Sequence, residues 1–134
     1  MLASALDGIR LSLHVLAACI WVGGQLTLGG LVPSLRRVSG DATKAAADAF
    51  GKLAWPAYAV LILTGLWNYS TFDMAKVSTA WKIVVGIKIA VALFSGLAAY
   101  LHQRAKSRAQ IAAWGGISGL SAVASLVLGV FLAG

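Results

Sequence analysis

Four long apolar segments constrain the fold more than any other feature of the sequence. They cover about residues 9–32, 53–72, 81–101 and 111–133, and each approaches the roughly 20 residues that a helix needs to cross a bilayer. Hydrophobic residues make up 60% of the chain and charged residues 11%, against about 25% in soluble domains. The sequence therefore predicts an all-α, integral membrane four-helix bundle that forms a single transmembrane domain in the lipid bilayer.

The connection between the first two segments is the longest one. We expect the first helix to end at Pro33, because proline cannot donate the backbone hydrogen bond of a helix interior. Asp41 is a candidate N-cap for a short helix through "ATKAAADAFGK" that runs into the second segment.

The positive charges predict an orientation in the membrane. Three of the 11 Lys and Arg residues lie on the side of the N-terminus and the second connection. Seven lie in the first and third connections: Arg36, Arg37, Lys44, Lys52, Arg104, Lys106 and Arg108. The positive-inside rule then predicts a multi-pass protein of the cell (plasma) membrane with both termini outside, on the periplasmic side. The same distribution explains the net charge of +7 without a nucleic-acid partner.

Three ionisable residues within or at the edge of the apolar segments are the candidate site residues: Arg10, His14 and Lys88. His14 lies about 8 Å and Lys88 about 10 Å inside the outer end of its segment, so the two share a level. Arg10 and His14 lie on one stripe of the first helix, and Lys88, Ser95 and His102 recur at heptad spacing on the third. We expect the two stripes to face each other, with His102 far away as a solvated loop histidine.

These residues have both functional and structural interpretations. His14 is either a ligand or an interior imidazole that bonds a backbone carbonyl or a Ser or Thr hydroxyl, and Lys88 is either a site residue or a snorkelling lysine. Arg10 either contributes to the site or pairs with Asp7 and the head groups. An imidazole beside a cation suits a metallated tetrapyrrole, in which His14 ligates the iron and the cation meets a propionate or supplies a second ligand. Copper is the alternative, although the chain has one Cys and two Met, the soft ligands that Cu(I) prefers.

The fourth segment carries a stripe of small residues. Its members are Gly115, Gly119, Ser121, Ser125 and Gly129. Small residues allow close approach of helices in lipid, so the stripe predicts packing within the bundle or against a partner, either a homo-oligomer or a larger membrane complex.

Three stretches of the sequence resemble a known family. "LHVLAACIWVGG" (13–24), "WPAYAVLILTGLWNY" (55–69) and "WKIVVGIKIAVALFSGLAAYLHQR" (81–104) resemble, in this order, the first three spans of the copper-resistance D family and of the related HemJ-type protoporphyrinogen oxidases. The resemblance implies a helical membrane protein that binds haem b or handles copper. The important histidine and lysine of HemJ-type proteins correspond to His14 and Lys88.

The leading hypothesis from the sequence is a small membrane protein that binds haem b or a porphyrin, with porphyrinogen oxidation as the activity that the resemblance implies. The metal ligand would be His14, with Lys88 and Arg10 as further cofactor-binding residues. Two alternatives remain open: a copper uptake or tolerance protein, and an accessory subunit of a larger membrane complex.

Overall fold

The structure is a computed structural model that describes residues 3–134, and these residues form four long helices. Helix α1 is Ala5–Val38, α2 is Gly40–Ser70, α3 is Thr79–Arg104 and α4 is Arg108–Ala133. Each helix is long and apolar enough to cross a membrane. The predicted all-α class with four membrane-spanning helices is therefore confirmed.

A serine caps the N-terminus of every helix. The hydroxyls of Ser4, Ser39, Ser78 and Ser107 each accept a hydrogen bond from the backbone N–H three residues later. Such a bond satisfies one of the donors that the first turn of a helix leaves without a partner. The predicted cap at Asp41 is wrong, because Ser39 caps α2 and Asp41 lies in its first turn.

Helix α1 departs from the predicted helix in two places. It continues through Pro33 to Val38, so the expected end at Pro33 is wrong. One turn, Cys19–Gly23, is π-helical. A π-helical turn bonds i to i+5 instead of i+4, so it changes which residues share a face before and after it. Arg10 and His14 both lie before this turn, so it does not change their shared face.

The chain divides into two compact units, the first ending at Phe72 and the second spanning Asp73–Gly134. The first unit is a hairpin of α1 and α2 with the single residue Ser39 between them. The second is a hairpin of α3 and α4. Small residues, such as Ala17 and Ala57 in the first unit and Ala98 and Ala122 in the second, form most of the buried core. Leu6, Leu63 and Leu120 are at least 67% exposed, as expected of side chains that face lipid.

Candidate functional site

The His14 side chain is held by a threonine of the opposite helix in the first unit. His14 Nδ1 lies 2.9 Å from Oγ1 of Thr64, which is buried in α2. The Thr64 hydroxyl donates its single hydrogen to the Val60 carbonyl 2.6 Å away, so it accepts from His14. Nδ1 therefore carries the proton, and the lone pair of the neutral ring is on Nε2.

This hydrogen bond agrees with both interpretations of His14. An interior histidine was expected to bond a hydroxyl or a carbonyl, and His14 does. A metal-ligating histidine also donates its second ring N–H to a protein acceptor, which fixes the tautomer and the orientation of the ring. The hydrogen bond to Thr64 therefore does not decide between the two interpretations.

Gly65 leaves room for the imidazole beside α2. A Cβ at this position would lie 3.3 Å from His14 Cε1, closer than ordinary van der Waals contact. Thr64 and Gly65 together fix the ring, because one provides the acceptor and the other the space. Neither residue was identified from the sequence, although the Thr–Gly pair stands at the level of His14 once an antiparallel hairpin is assumed.

Arg10 lies one turn before His14 and is buried. Its side chain is 9% exposed, and Nη2 donates to Asp7 Oδ1 over 2.8 Å. The predicted pairing with Asp7 is confirmed. A guanidinium has five N–H donors, and Arg10 Nε, which is buried, has no hydrogen-bond partner among residues 3–134. Burial of an unsatisfied donor is costly, so this nitrogen indicates a place for an acceptor.

Asn68 occupies the corresponding place on α2. Since His14 contacts Thr64 in an antiparallel hairpin, the residue four positions before His14 and the residue four positions after Thr64 lie at one level. These are Arg10 and Asn68. Asn68 Oδ1 is also buried, and it too has no hydrogen-bond partner in the described part of the chain.

Three aromatic rings lie beyond His14 along the hairpin, on the side away from Arg10. Trp21, in the π-helical turn, is 3% exposed, and its ring centroid lies 4.4 Å from that of Tyr58 and 5.6 Å from that of Trp55. Helical turns of this kind occur frequently at functional sites. The aromatic cluster is a second contact between α1 and α2, in a register close to that of His14 and Thr64.

Lys88 lies in the second unit and is half-buried. Its backbone carbonyl accepts a hydrogen bond from Ser125, and its side chain leans over Gly129, where a Cβ would lie 2.9 Å from Lys88 Cε. Among residues 3–134, Lys88 Nζ has no ion-pair or hydrogen-bond partner, which is unusual for a lysine within an apolar helix.

The heptad stripe of α3 contacts α4. Ser95 and Ser118 each donate their hydroxyl to the backbone carbonyl of the other, over 3.0 and 2.9 Å, and His102 Nδ1 lies 2.7 Å from the Ile111 carbonyl. The expectation of a solvated loop histidine is wrong, because His102 lies in the last turn of α3 with its ring against Gly115. The heptad spacing itself is confirmed as a packing pattern.

The contacts assign each polar stripe to the neighbouring helix of its own unit. The stripe of α1 contacts α2 through Thr64, and the stripe of α3 contacts α4 through Ser118 and Ile111. We expected the two stripes to face each other. The pairing of His14 with Lys88 stays a prediction.

The packing predicted for the small-residue stripe of α4 is confirmed in part. Gly115 and Gly129 receive the side chains of His102 and Lys88, and Ser125 bonds α3. A Cβ at Gly119 would meet no atom within 4 Å, so this glycine is not part of the described packing.

The described residues contain no group of three or more His, Cys, Asp or Glu side chains that could hold a metal ion. A metal in a porphyrin needs fewer protein ligands than a free metal ion, because the porphyrin nitrogens hold the metal and the protein adds only an axial ligand. His14 can be such a ligand without a cluster. Comparisons of the chain with protein-family models, curated proteins and solved structures give no match. The resemblance to the copper-resistance D family and to HemJ-type oxidases stays a prediction.

Proposed function

We propose that this chain is a membrane protein that binds haem b or a closely related porphyrin through His14. The observation that supports the proposal most strongly is the hydrogen bond from His14 Nδ1 to Thr64, which puts the lone pair on Nε2. A histidine whose tautomer is set in this way is prepared to bind iron.

Arg10 supplies the second part of the proposal. Haem b is a largely apolar macrocycle with two carboxylate substituents, so its site needs an apolar wall and a cation. Arg10 is buried one turn from His14, and its Nε–H has no hydrogen-bond partner among residues 3–134. The orphaned donor and the oriented imidazole both fit this group, and the bound group would supply a redox-active iron.

Lys88 has a less defined part in the proposal. It is a half-buried cation in an apolar helix, and such residues are functional more often than structural. Its role as a further cofactor-binding residue stays a prediction from the sequence. Porphyrinogen oxidation is the activity that the proposal carries over from the family resemblance.

The test is an absorbance spectrum of the purified chain, loaded with haemin, in its oxidised and reduced forms. We expect a stoichiometric haem complex in the wild type and its loss in His14→Ala. The matched control is His102→Ala, because His102 is the other histidine of the chain and bonds the Ile111 carbonyl. Full haem occupancy in His14→Ala, or loss in both variants, would contradict the assignment.

A further inference from the structure

A donor and an acceptor of the first unit are both buried and have no hydrogen-bond partner within residues 3–134, and the register of the hairpin puts them at one level. The donor is Arg10 Nε and the acceptor is Asn68 Oδ1. Each such group costs free energy unless something binds it, and two of them on facing helices are more informative than either alone.

Asp7 balances the formal charge of Arg10 but occupies only part of its guanidinium. Asp7 contacts Arg10 through one oxygen, while its other oxygen accepts from Ser4 over 2.7 Å. The Asp7 side chain is 47% exposed, whereas that of Arg10 is 9% exposed. Asp7 is therefore partly screened by solvent and leaves a donor of the guanidinium unsatisfied, so an anion at Arg10 Nε would still be stabilised.

The Asn68 side chain can hydrogen-bond an anion through its NH₂ group as well as a cation through its carbonyl oxygen. Its Oδ1 has no hydrogen-bond partner within residues 3–134, so rotation of the amide breaks no bond of this oxygen. Rotation about χ2 exchanges the carbonyl oxygen for the NH₂ group. A carboxylate could then accept from Arg10 Nε with one oxygen and from Asn68 Nδ2 with the other.

The depth of Arg10 and Asn68 in the membrane suits the polar end of an amphiphilic ligand. Arg10 lies at the end of the predicted span, where the membrane interface begins, and His14 lies one turn deeper, about 6 Å along the helix axis. A ligand with its acidic group at Arg10 and its apolar body at His14 would have each part in the surroundings that suit it.

We propose that Arg10 and Asn68 form a carboxylate-binding subsite that selects porphyrins with free acid substituents and orients the acid toward the membrane interface. The inference rests on the proposed function, because it concerns the acidic group of the same ligand. It adds Asn68 as a specificity-determining residue and predicts a preference that does not depend on iron.

The experiment compares protoporphyrin with its dimethyl ester, both free of metal, for binding to the full chain in lipid nanodiscs. We expect the acid to bind about tenfold or more tightly than the ester, the size of a charge-assisted hydrogen bond. Asn68→Asp puts a competing carboxylate beside Arg10 and should reduce this ratio to near one. Asn68→Leu and Arg10→Gln should reduce it too, and Lys82→Gln, which removes an exposed cation, should leave it unchanged.

The outcomes separate the subsite from the proposed function. Equal binding of acid and ester by the wild type, or an unchanged ratio in Asn68→Asp, would overturn the subsite even if haemin binds through His14. A preference for the acid together with unchanged haemin binding by His14→Ala would support the subsite and contradict haem ligation. Failure of the metal-free acid and ester to bind would overturn the subsite, and failure of haemin to bind as well would overturn both proposals. If Arg10→Gln fails to fold, the two Asn68 variants still decide the question.

Discussion

His14 Nδ1 donates a hydrogen bond to Thr64 Oγ1 across 2.9 Å, and this contact joins two residues that are 50 positions apart in the chain. The threonine hydroxyl in turn donates to the Val60 carbonyl. These two consecutive hydrogen bonds, which we call the relay, fix the orientation of the histidine ring and the nitrogen that carries its proton. The chemistry that we propose depends on this orientation.

Replacement of Thr64 tests the relay. Thr64→Val keeps the shape of the side chain and removes the acceptor, so the tautomer and the orientation of His14 are no longer fixed. We expect haem affinity to fall about 10- to 100-fold, the usual effect of losing the partner of a metal-bound histidine. Thr64→Ser keeps the hydroxyl and should retain most of the affinity, as measured by haemin titration. Equal affinity of Thr64→Val and the wild type would show that the hydrogen bond does not contribute.

Replacement of Gly65 tests whether the position of the His14 ring affects haem binding. Gly65→Ala puts a methyl group 3.3 Å from His14 Cε1, so the ring has to move by a few tenths of an ångström. We expect a changed absorbance spectrum and weaker haem binding. The matched control is Gly8→Ala in α1, where a Cβ meets no atom within 4 Å and alanine should stabilise the helix by about 1 kcal/mol. Identical spectra and affinities of the two variants would contradict a packed imidazole at Gly65.

The contact of Lys88 with Gly129 can be measured as a coupling energy. Gly129→Ala directs a methyl group at Lys88 Cε, so we expect Lys88→Ala to relieve its effect. A double-mutant cycle on thermal stability should give a coupling of about 0.5–3 kcal/mol, as for residues in contact. The same cycle with Gly119→Ala should be additive, because a Cβ at Gly119 meets no atom within 4 Å. Additivity in the Gly129 cycle would show that Lys88 does not lie over this glycine.

The orientation in the membrane is a separate prediction. In a Cys19→Ser background, a cysteine at Lys106, between α3 and α4, should react with a membrane-impermeant maleimide only after the cells are opened. A cysteine at Lys76, between α2 and α3, should react in intact cells. The reverse pattern would place both termini in the cytoplasm and His14 in the inner leaflet.

Much of the fold follows from local patterns in the sequence. The four helices are predictable because membrane spans need long apolar runs, and the heptad spacing of Lys88, Ser95 and His102 correctly indicates one packing face. The continuation through Pro33 was missed because proline lowers the stability of a helix without always ending it. The π-helical turn at Trp21 was missed because it has no reliable sequence signal.

The candidate site was less predictable than the fold. His14 and Arg10 were identified because ionisable residues are costly in an apolar segment. Asp7 was identified as the partner of Arg10, whereas Thr64 and Asn68 were not identified, because they are ordinary helix residues until the register of the hairpin brings them to the levels of His14 and Arg10. Register is a tertiary property, and the hydrophobic pattern of a lipid-facing helix leaves it weakly specified.

Chemical rescue of His14→Gly tests the central claim most directly. Deletion of the imidazole should abolish haem binding to the purified chain, and added imidazole should restore the haem stoichiometry and the reduced spectrum by occupying the vacated space. His102→Gly should bind haem without imidazole, because the His102 ring bonds the Ile111 carbonyl instead. Haem binding by His14→Gly without imidazole, or a failure of imidazole to restore it in a folded variant, would contradict ligation by His14.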